Sequence, residues 1–167
     1  MDRVAFGAFQ FAYRSGRGAR DAIAFYVLSW IVAFNHGQKI GLYASDVSGA
    51  FNRVSSTTLI SKLETFGLHE KILSVIASWL RDRPARVVCG GSCSREFLLS
   101  DMVFQGTVWG PYLWNLFFGD SVLAVQSSGF ICVIYADDLN NFKCYDLSVS
   151  NVFVRADLLD CQACLYR

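Results

Sequence analysis

Charge is scarce in this sequence, and neither sign is in clear excess. Charged residues make up 17% of the chain and apolar residues 53%, so the composition supplies a core and argues against intrinsic disorder. With 15 basic and 14 acidic side chains, the formal net charge is +1. A strongly basic domain would indicate a nucleic-acid partner, and this chain lacks that signal. Any case for such a partner therefore rests on local motifs.

Long hydrophobic runs are also lacking. The most apolar short stretch, 22–34, is too brief to span a hydrocarbon layer of roughly 30 Å. The longer run 107–125 is interrupted by polar residues and a proline. The N-terminus shows no basic-then-apolar stretch followed by a cleavage site of small residues. We therefore expect an intracellular protein, nuclear or cytoplasmic, that is not secreted and has no membrane partner.

The cysteines lack the regular spacing of a metal site. Cys161 and Cys164 form a C-x-x-C, whereas Cys89 and Cys93 are a looser pair. A zinc site of four thiolates needs well-spaced pairs, and cysteine is among the residues most often buried in cores. In a reducing compartment we expect the 6 cysteines to be thiols.

The apolar periodicity predicts one α+β unit, in which a small and partly antiparallel sheet is backed by helices. Capping residues, glycines and prolines divide the chain into elements. Helices are predicted over 17–35, 55–66, 69–80, 111–125 and 149–165, the first of them buried. Strands are predicted over 39–46, 130–135 and 139–143, with a tight turn at 136–138 and a hairpin formed by 86–89 and 96–99.

Two short apolar strands end in acidic residues. Asp46 ends the first, and Asp137 and Asp138 follow the second. Adjacent residues on a strand point to opposite faces, so the Asp-Asp pair can serve one site only where the backbone turns sharply. Carboxylates at neighbouring strand ends are a rigid way to hold the two divalent cations of phosphoryl transfer. The alternative interpretation is a hairpin tip in solvent.

Two further segments suit phosphate or nucleotide binding. Arg14 and Arg17 stand beside glycines, and guanidinium groups pair with phosphate oxygens in forked geometry. Gln105 and Gly106 precede a helix start near Pro111, where free backbone amides and a polar side chain can line a nucleotide. A solvated loop and an ordinary helix start explain the same residues without a ligand.

Taken in order, these segments resemble the sequence blocks of the reverse transcriptases of non-LTR retrotransposons. Residues 10–18 are similar to the fingers block QxGFRxGRG, and 45–54 to the first palm block DxxxAFDxV. Residues 103–111 resemble the block PQGxxLGP, and 135–138 are the family's YADD box. Ala12-Tyr13, Asn52, Phe104 and Trp109 depart from the family's usual Gly-Phe, Asp, Pro and Leu. The matches extend over nearly the whole chain.

The resemblance implies a polymerase palm-like antiparallel sheet backed by helices. By the same resemblance, residues 1–167 are a partial reverse transcriptase domain, with about 1–36 a fingers remnant and 37–167 a palm truncated at its C-terminus. The thumb would then be absent. Much of the affinity for nucleic acid comes from phosphate contacts, which the missing thumb and fingers regions would supply.

The activity that the resemblance implies is that of an RNA-directed DNA polymerase, a nucleotidyltransferase that adds dNTPs to a primer 3′-hydroxyl. Its partners would be an RNA template, a DNA primer and the dNTP. Catalysis would depend on Asp46, Asp137 and Asp138. With the Val47 carbonyl, these residues would hold two Mg²⁺ ions, for which Mn²⁺ is an alternative.

The resemblance also implies a nucleotide pocket. Arg14 or Arg17 would contact the triphosphate, and Gln105 and Gly106 would line the pocket. Phe51 would pack under the sugar and exclude a 2′-hydroxyl. Asp120 matches an acidic position of the family, but an exposed helical face accounts for it without a catalytic role.

Two alternatives remain open at this level. The chain is either an active domain or a catalytically inert remnant of one, and the positive mean hydropathy of +0.34 suits the second. Large exposed apolar surface would favour that interpretation. Acidic strand ends equally serve other two-metal enzymes, such as a nuclease or a nucleotidyl cyclase. The segments 14–18 and 105–111 argue against that class.

Overall fold

The fold, taken from a computed structural model, is described for residues 9–81, 83–100 and 102–165. Its helices are α1 (Ala19–Asn35), α2 (Ser56–Thr65), α3 (Glu70–Leu80), α4 (Gly110–Gln126) and α5 (Asn151–Cys164), with a short 3-10 helix at Ala50–Arg53. Its strands are β1 (Gln38–Asp46), β2 (Arg83–Ala85), β3 (Val88–Cys89), β4 (Ser92–Cys93), β5 (Phe97–Leu99), β6 (Ile131–Tyr135) and β7 (Asp138–Asp146). This is the predicted α+β composition with antiparallel pairing.

The chain forms two compact units. The first is built from the two ends of the sequence, up to Ser48 and from Phe118 onward, and the second is the continuous segment Gly49–Phe117. The first unit contains the larger sheet with α1 and α5, and the second contains α2, α3 and the short strands β2 to β5.

A three-stranded antiparallel sheet in the order β1-β7-β6 organises the first unit. Strand β7 lies in the centre, where it pairs with β1 over the whole length Gln38–Asp46 and with β6 through a short hairpin. On the other side of β6, Gln10 forms a parallel bridge with Ile134. Main-chain bonds secure this bridge, because Phe11 N donates to Ile134 O at 2.9 Å and Ile134 N donates to Phe9 O at 2.9 Å.

The sheet is covered by helices on both faces, because its strands carry apolar residues on both. Cys132, Ile134 and Leu139 pack with the end of α4 and with Cys161 of α5. Val133 and Phe142 point the other way and pack with Ala22 and several aromatic side chains, mainly of α1. Adjacent strand residues face opposite sides, so this split of neighbours is the expected one. The central hairpin is thereby fixed from both sides.

Helix α1 is far more exposed than predicted. Only Ala22 and Ala33 of its residues are buried, whereas apolar side chains on its outer side are exposed, Leu28 by 63%. The others in this exposed set are Ile23, Val27, Ile31, Val32 and Phe34. The run is apolar all round, so its periodicity does not reveal which side faces the sheet. The prediction of a buried helix is wrong because the sheet covers one side only.

The second unit confirms the predicted helix pair and revises the predicted hairpin. Ser55 caps α2 by accepting from Thr58 N, and Gly67 with φ 76° follows the helix, as expected of such stop signals. The glycine pair Gly90-Gly91 does turn the chain, but it joins β3 to β4. Strand β5 pairs with β2 instead of with the run 86–89. Short apolar runs do not specify their partner.

None of the helices in the described part combines the length and the apolar character that a bilayer-spanning segment requires.

Candidate functional site

The turn that carries Asp137 is a two-residue hairpin loop. Strand β6 ends at Tyr135 and β7 begins at Asp138, its partner across the turn. Ala136 has φ 59°, and a positive φ at the first of two central residues is typical of a type II′ turn, where glycine is usual. An alanine in this sparsely populated conformation is strained by about 1–3 kcal/mol. The sharp turn that the Asp-Asp pair requires is present.

Asp46 and Asp138 lie directly opposite each other. They are the last partners of the β1–β7 ladder, so their side chains share one face with Cβ atoms about 5 Å apart. Both are exposed, Asp137 in the adjoining turn is half-buried, and Val47 directly follows the strand end. The sheet therefore delivers three acidic residues to one edge.

The chemistry of this edge suits a magnesium ion. Mg²⁺ is bound through oxygen, usually by one or two carboxylates together with substrate phosphates, and Asp46, Asp137 and Asp138 offer only oxygen. No hydrogen bond or ion pair engages these three side chains within the described part of the chain. In residues 9–81, 83–100 and 102–165, however, no three His, Cys, Asp or Glu side chains converge closely enough to hold a metal ion.

Gln10 fastens the turn from the neighbouring segment. Its side chain is 2% exposed. The Oε1 atom accepts from Ala136 N at 3.2 Å and from Ala12 N at 3.0 Å. The Nε2 atom donates to Ala136 O at 3.4 Å. Both backbone polar groups of the strained turn residue are thus satisfied by one buried amide.

Burial and the acidic edge together raise the pKa of two nearby tyrosines. The pKa of Tyr13 is raised, chiefly by burial and then by the negative charge of Asp137. The pKa of Tyr26 is raised chiefly by burial, with Asp138 among the smaller causes. An added negative charge is disfavoured near carboxylates. Both hydroxyls therefore stay neutral at physiological pH.

Arg14 and Arg17 lie in the turns between Gln10 and α1, in the same unit as the aspartates. The two residues are joined by a main-chain bond from Arg17 N to Arg14 O of 3.4 Å. The Arg17 guanidinium lies 5.4 Å from the centroid of the Phe11 ring. Both side chains are half-buried, so the loop is held close to the body of the first unit.

Phe51 belongs to the second unit, in the 3-10 helix. Its ring stacks on Trp114 with centroids 5.6 Å apart and an interplanar angle of 28°. Its carbonyl accepts from Val103 N at 2.8 Å. The ring is half-buried, so it is held in place while one side stays accessible.

Gln105 and Gly106 form an exposed turn ahead of α4, also in the second unit. Gly106 has φ 77°, a conformation that favours glycine. Thr107 fixes the turn, because its Oγ1 donates to Phe104 O at 2.6 Å and accepts from Gly110 N at 3.2 Å. The loop has the expected form of a helix entry with an exposed polar side chain.

Sequence reasoning missed the roles of Gln10 and Tyr13 in this site. Gln10 belongs to the block 10–18, but the motif alone does not indicate a role for it. A polar residue within the run Phe9-Gln10-Phe11-Ala12 is a usable signal, because a buried amide between apolar neighbours needs hydrogen-bond partners.

Comparison with known proteins agrees with the sequence motifs. The family model described as reverse transcriptase (RNA-dependent DNA polymerase) matches residues 2–144. The chain is similar to the Retrovirus-related Pol polyprotein from type-1 retrotransposable element R2 of Popillia japonica, with 25% identity over 125 residues, 69% of this chain and 21% of that protein. It is also similar to the RNA-directed DNA polymerase from mobile element jockey of Drosophila funebris, with 26% identity over 136 residues, 78% of this chain and 15% of that protein. The chain thus spans a small part of these relatives.

Proposed function

We propose that this chain, which belongs to the reverse transcriptase family, supplies the palm-like catalytic part of an RNA-directed DNA polymerase of a non-LTR retrotransposon. The resemblance to that group is confirmed by the matches to the R2 and jockey proteins. The observation that carries the proposal is the pairing of Asp46 with Asp138 beside the Asp137 turn. It brings the acidic residues of two separate motifs to one sheet edge.

In this proposal Asp46, Asp137 and Asp138 hold two Mg²⁺ ions together with the Val47 carbonyl, and Mn²⁺ is an alternative ion. When bound, such ions would supply the activation of the primer hydroxyl and the neutralisation of the charge on the leaving pyrophosphate. The side chains of the chain itself orient the ions and keep the edge negative, because no internal ion pair neutralises them in the described residues.

The remaining motif residues serve the nucleotide. Arg14 and Arg17 pair with triphosphate oxygens, as forked guanidinium groups do. Gln105 and Gly106 line the pocket. Phe51 excludes the 2′-hydroxyl of a ribonucleotide with the ring that Trp114 holds in place.

The template and primer are the partners that this reaction requires. We propose that about residues 1–36 correspond to the fingers and 37–167 to the palm. With a net charge of +1, the chain itself offers few unopposed cations to nucleic-acid phosphates, which set most of the affinity. Tight binding of RNA and DNA then requires phosphate contacts beyond those that these few cations make, such as contacts from fingers and thumb regions.

The test is primer extension on a poly(rA)/oligo(dT) duplex with dTTP and Mg²⁺. We expect extension by the parent chain and at least a hundredfold loss in Asp137→Asn, because an amide of the same shape cannot replace a metal-binding carboxylate. Asp146→Asn is the matched control. It makes the same change at the opposite exposed end of β7 and should leave extension intact.

Each of three other outcomes would contradict a specific part of the proposal. Extension that survives in Asp137→Asn would remove this residue from the site. Metal-dependent cleavage of labelled nucleic acid in the absence of dTTP would identify a nuclease instead. A parent chain that binds Mn²⁺ at Asp137 but extends nothing would have the site without the activity.

A second candidate is a catalytically inert remnant that depends on a partner, and the exposed apolar side of α1 favours it. Apolar surface of this kind marks interaction sites or aggregation liabilities. Size-exclusion chromatography with an environment-sensitive dye tests it. A compact, monomeric chain that leaves the dye dark would contradict this candidate.

A further inference from the structure

We infer that Gln10 is a positioning residue that holds the Ala136–Asp137 turn in shape and thereby sets where the Asp137 carboxylate lies. The consequence for catalysis rests on the proposed function. The contact between Gln10 and the turn is independent of it.

The first support is the way in which the Gln10 amide replaces strand pairing. Strand β6 ends at Tyr135, so its ladder with β7 does not extend to Ala136. One side chain serves both backbone groups there, accepting from Ala136 N at 3.2 Å and donating to Ala136 O at 3.4 Å. A carboxamide can do so because its oxygen accepts while its NH₂ group donates.

The second support is the strain of the turn. Ala136 is buried and has φ 59°, a conformation that a residue with a Cβ keeps only when its surroundings impose it. The Gln10 backbone is itself fixed on β6 by the bonds between Phe11 N and Ile134 O and between Ile134 N and Phe9 O. The amide therefore approaches the turn from a segment that is hydrogen-bonded to β6.

The same oxygen joins the turn to the arginine loop. Gln10 Oε1 also accepts from Ala12 N at 3.0 Å, two residues before Arg14. One atom thus binds the backbone of the turn and the start of the loop. A displacement of the loop would strain the hydrogen bond that keeps the turn in place.

Amide hydrogen exchange in the 167-residue chain, without metal or nucleic acid, is the primary test. Gln10→Leu keeps the bulk but removes all three bonds. We expect the Ala136 amide to exchange at least roughly tenfold faster, and the Asp138 amide to lose protection as well. Asn141→Leu is the matched control, because it removes a fully buried amide of β7 whose side-chain atoms have no hydrogen-bond partner among the described residues. It should leave both amides unchanged.

A rescue separates positioning from general loss of structure. Glycine adopts a positive φ without strain, so Ala136→Gly in the Gln10→Leu background should restore protection at Asp138. Protection at residue 136 itself should stay below that of the parent, because the Gln10 acceptor is still missing. If Gln10→Leu exchanges like the parent, or if the glycine restores nothing, the inference is wrong.

Gln10→Glu covers the case in which Gln10→Leu does not fold. The carboxylate keeps an acceptor for both N–H groups but cannot donate to Ala136 O until it is protonated. We expect the turn to loosen at neutral pH and to regain protection as the pH is lowered, while the parent shows no such change. A pH-independent Gln10→Glu variant would contradict the inference.

The catalytic consequence has its own readout. In primer extension, Gln10→Leu should lower kcat by about a hundredfold with a smaller change in the KM for dTTP, and Ala136→Gly should recover part of the loss. If the parent chain extends no primer, the proposed function fails while the exchange experiment still decides the role of Gln10. If exchange responds but kcat does not, Asp137 is not positioned by Gln10 for catalysis.

Discussion

Asp46 and Asp138 face each other as the terminal partners of the β1–β7 ladder. Like charges directly opposite on one face of an antiparallel pair are destabilising. Replacing Asp46 by Asn removes this repulsion. We therefore expect the free energy of unfolding of the metal-free chain to rise by roughly 0.2–1 kcal/mol, measured by urea denaturation in the presence of a chelator.

With Mg²⁺ added, the parent should become more stable than Asp46→Asn. An ion that binds only the native chain stabilises it, so the parent should gain stability with Mg²⁺ and Asp46→Asn should gain much less. Asp146→Asn removes an exposed carboxylate whose strand partner is the neutral Gln38. If it stabilises the metal-free chain as much as Asp46→Asn does, the gain comes from general charge and not from the pair.

Phe51 is expected to control the choice of sugar. Replacing it by Val removes the ring from the predicted pocket, so use of rUTP relative to dTTP should rise by roughly ten- to a hundredfold. Competition between the two nucleotides in primer extension measures this ratio. Selectivity that stays unchanged would exclude Phe51 from contact with the sugar.

Trp114→Phe is the control for this substitution. It weakens the stack with Phe51. Because Trp114 is buried, the smaller side chain also leaves a cavity, so the free energy of unfolding should fall. It leaves the ring at position 51, so the ratio of rUTP to dTTP should stay close to that of the parent. Together the two variants distinguish an effect of the Phe51 ring on sugar selectivity from an effect of its packing on stability.

The local parts of the fold and site were predictable because their signals lie next to one another in the sequence. The Asp-Asp pair required a sharp turn, and the turn at Ala136–Asp137 is present. Ser55 and Gly67 bracket α2 as capping residues should. Such features depend on hydrogen bonds between near neighbours, which a sequence displays directly.

The long-range parts were not predictable, because periodicity specifies a face and not a partner. Nothing in residues 9–11 indicates a parallel bridge to Ile134, and strand β5 pairs with β2 instead of the expected run. The exposure of α1 has the same origin, since an apolar run does not say how much of it a sheet will cover. The role of Gln10 depends on that unpredicted bridge.

Asp157 should make stability depend on pH. It accepts from Lys143 Nζ at 2.8 Å and from Tyr145 Oη at 2.8 Å, which ties α5 to β7. Burial opposes its ionisation, but these hydrogen bonds and the charge of Lys143 prevail and lower the pKa of Asp157. We expect Asp157→Asn to reduce the free energy of unfolding at pH 7 by about 1.5–3 kcal/mol.

The difference between the parent and Asp157→Asn should shrink in acid. Because the folded pKa lies below the unfolded value, the stabilisation is complete above the unfolded pKa of about 3.9 and is lost as the pH falls through the folded pKa. Urea denaturation at a series of pH values from neutral down into this range measures it. Asp160→Asn, an exposed change on the same helix, should have little effect. A difference that persists undiminished in acid would contradict the assignment.

Gly41 allows α5 to pack closely against β1. It is buried, and a Cβ at this position would lie 3.0 Å from Tyr145 Cε2 and 3.0 Å from Val154 Cγ1. Both distances are shorter than ordinary contacts, so Gly41→Ala must displace α5 or the Tyr145 ring. We expect a loss of about 1–3 kcal/mol in the free energy of unfolding, measured by urea denaturation.

A second substitution on α5 shows whether this close contact is the cause. Val154→Ala removes the methyl group that the new Cβ would meet, so Gly41→Ala should be less harmful in that background, with a coupling of at least roughly 0.5 kcal/mol. The same cycle with Leu159→Ala, at an exposed position of α5, should be additive. If the Val154 cycle is also additive, the stability lost in Gly41→Ala arises from the backbone of β1. Close packing of α5 against the sheet is then not the reason for glycine at position 41.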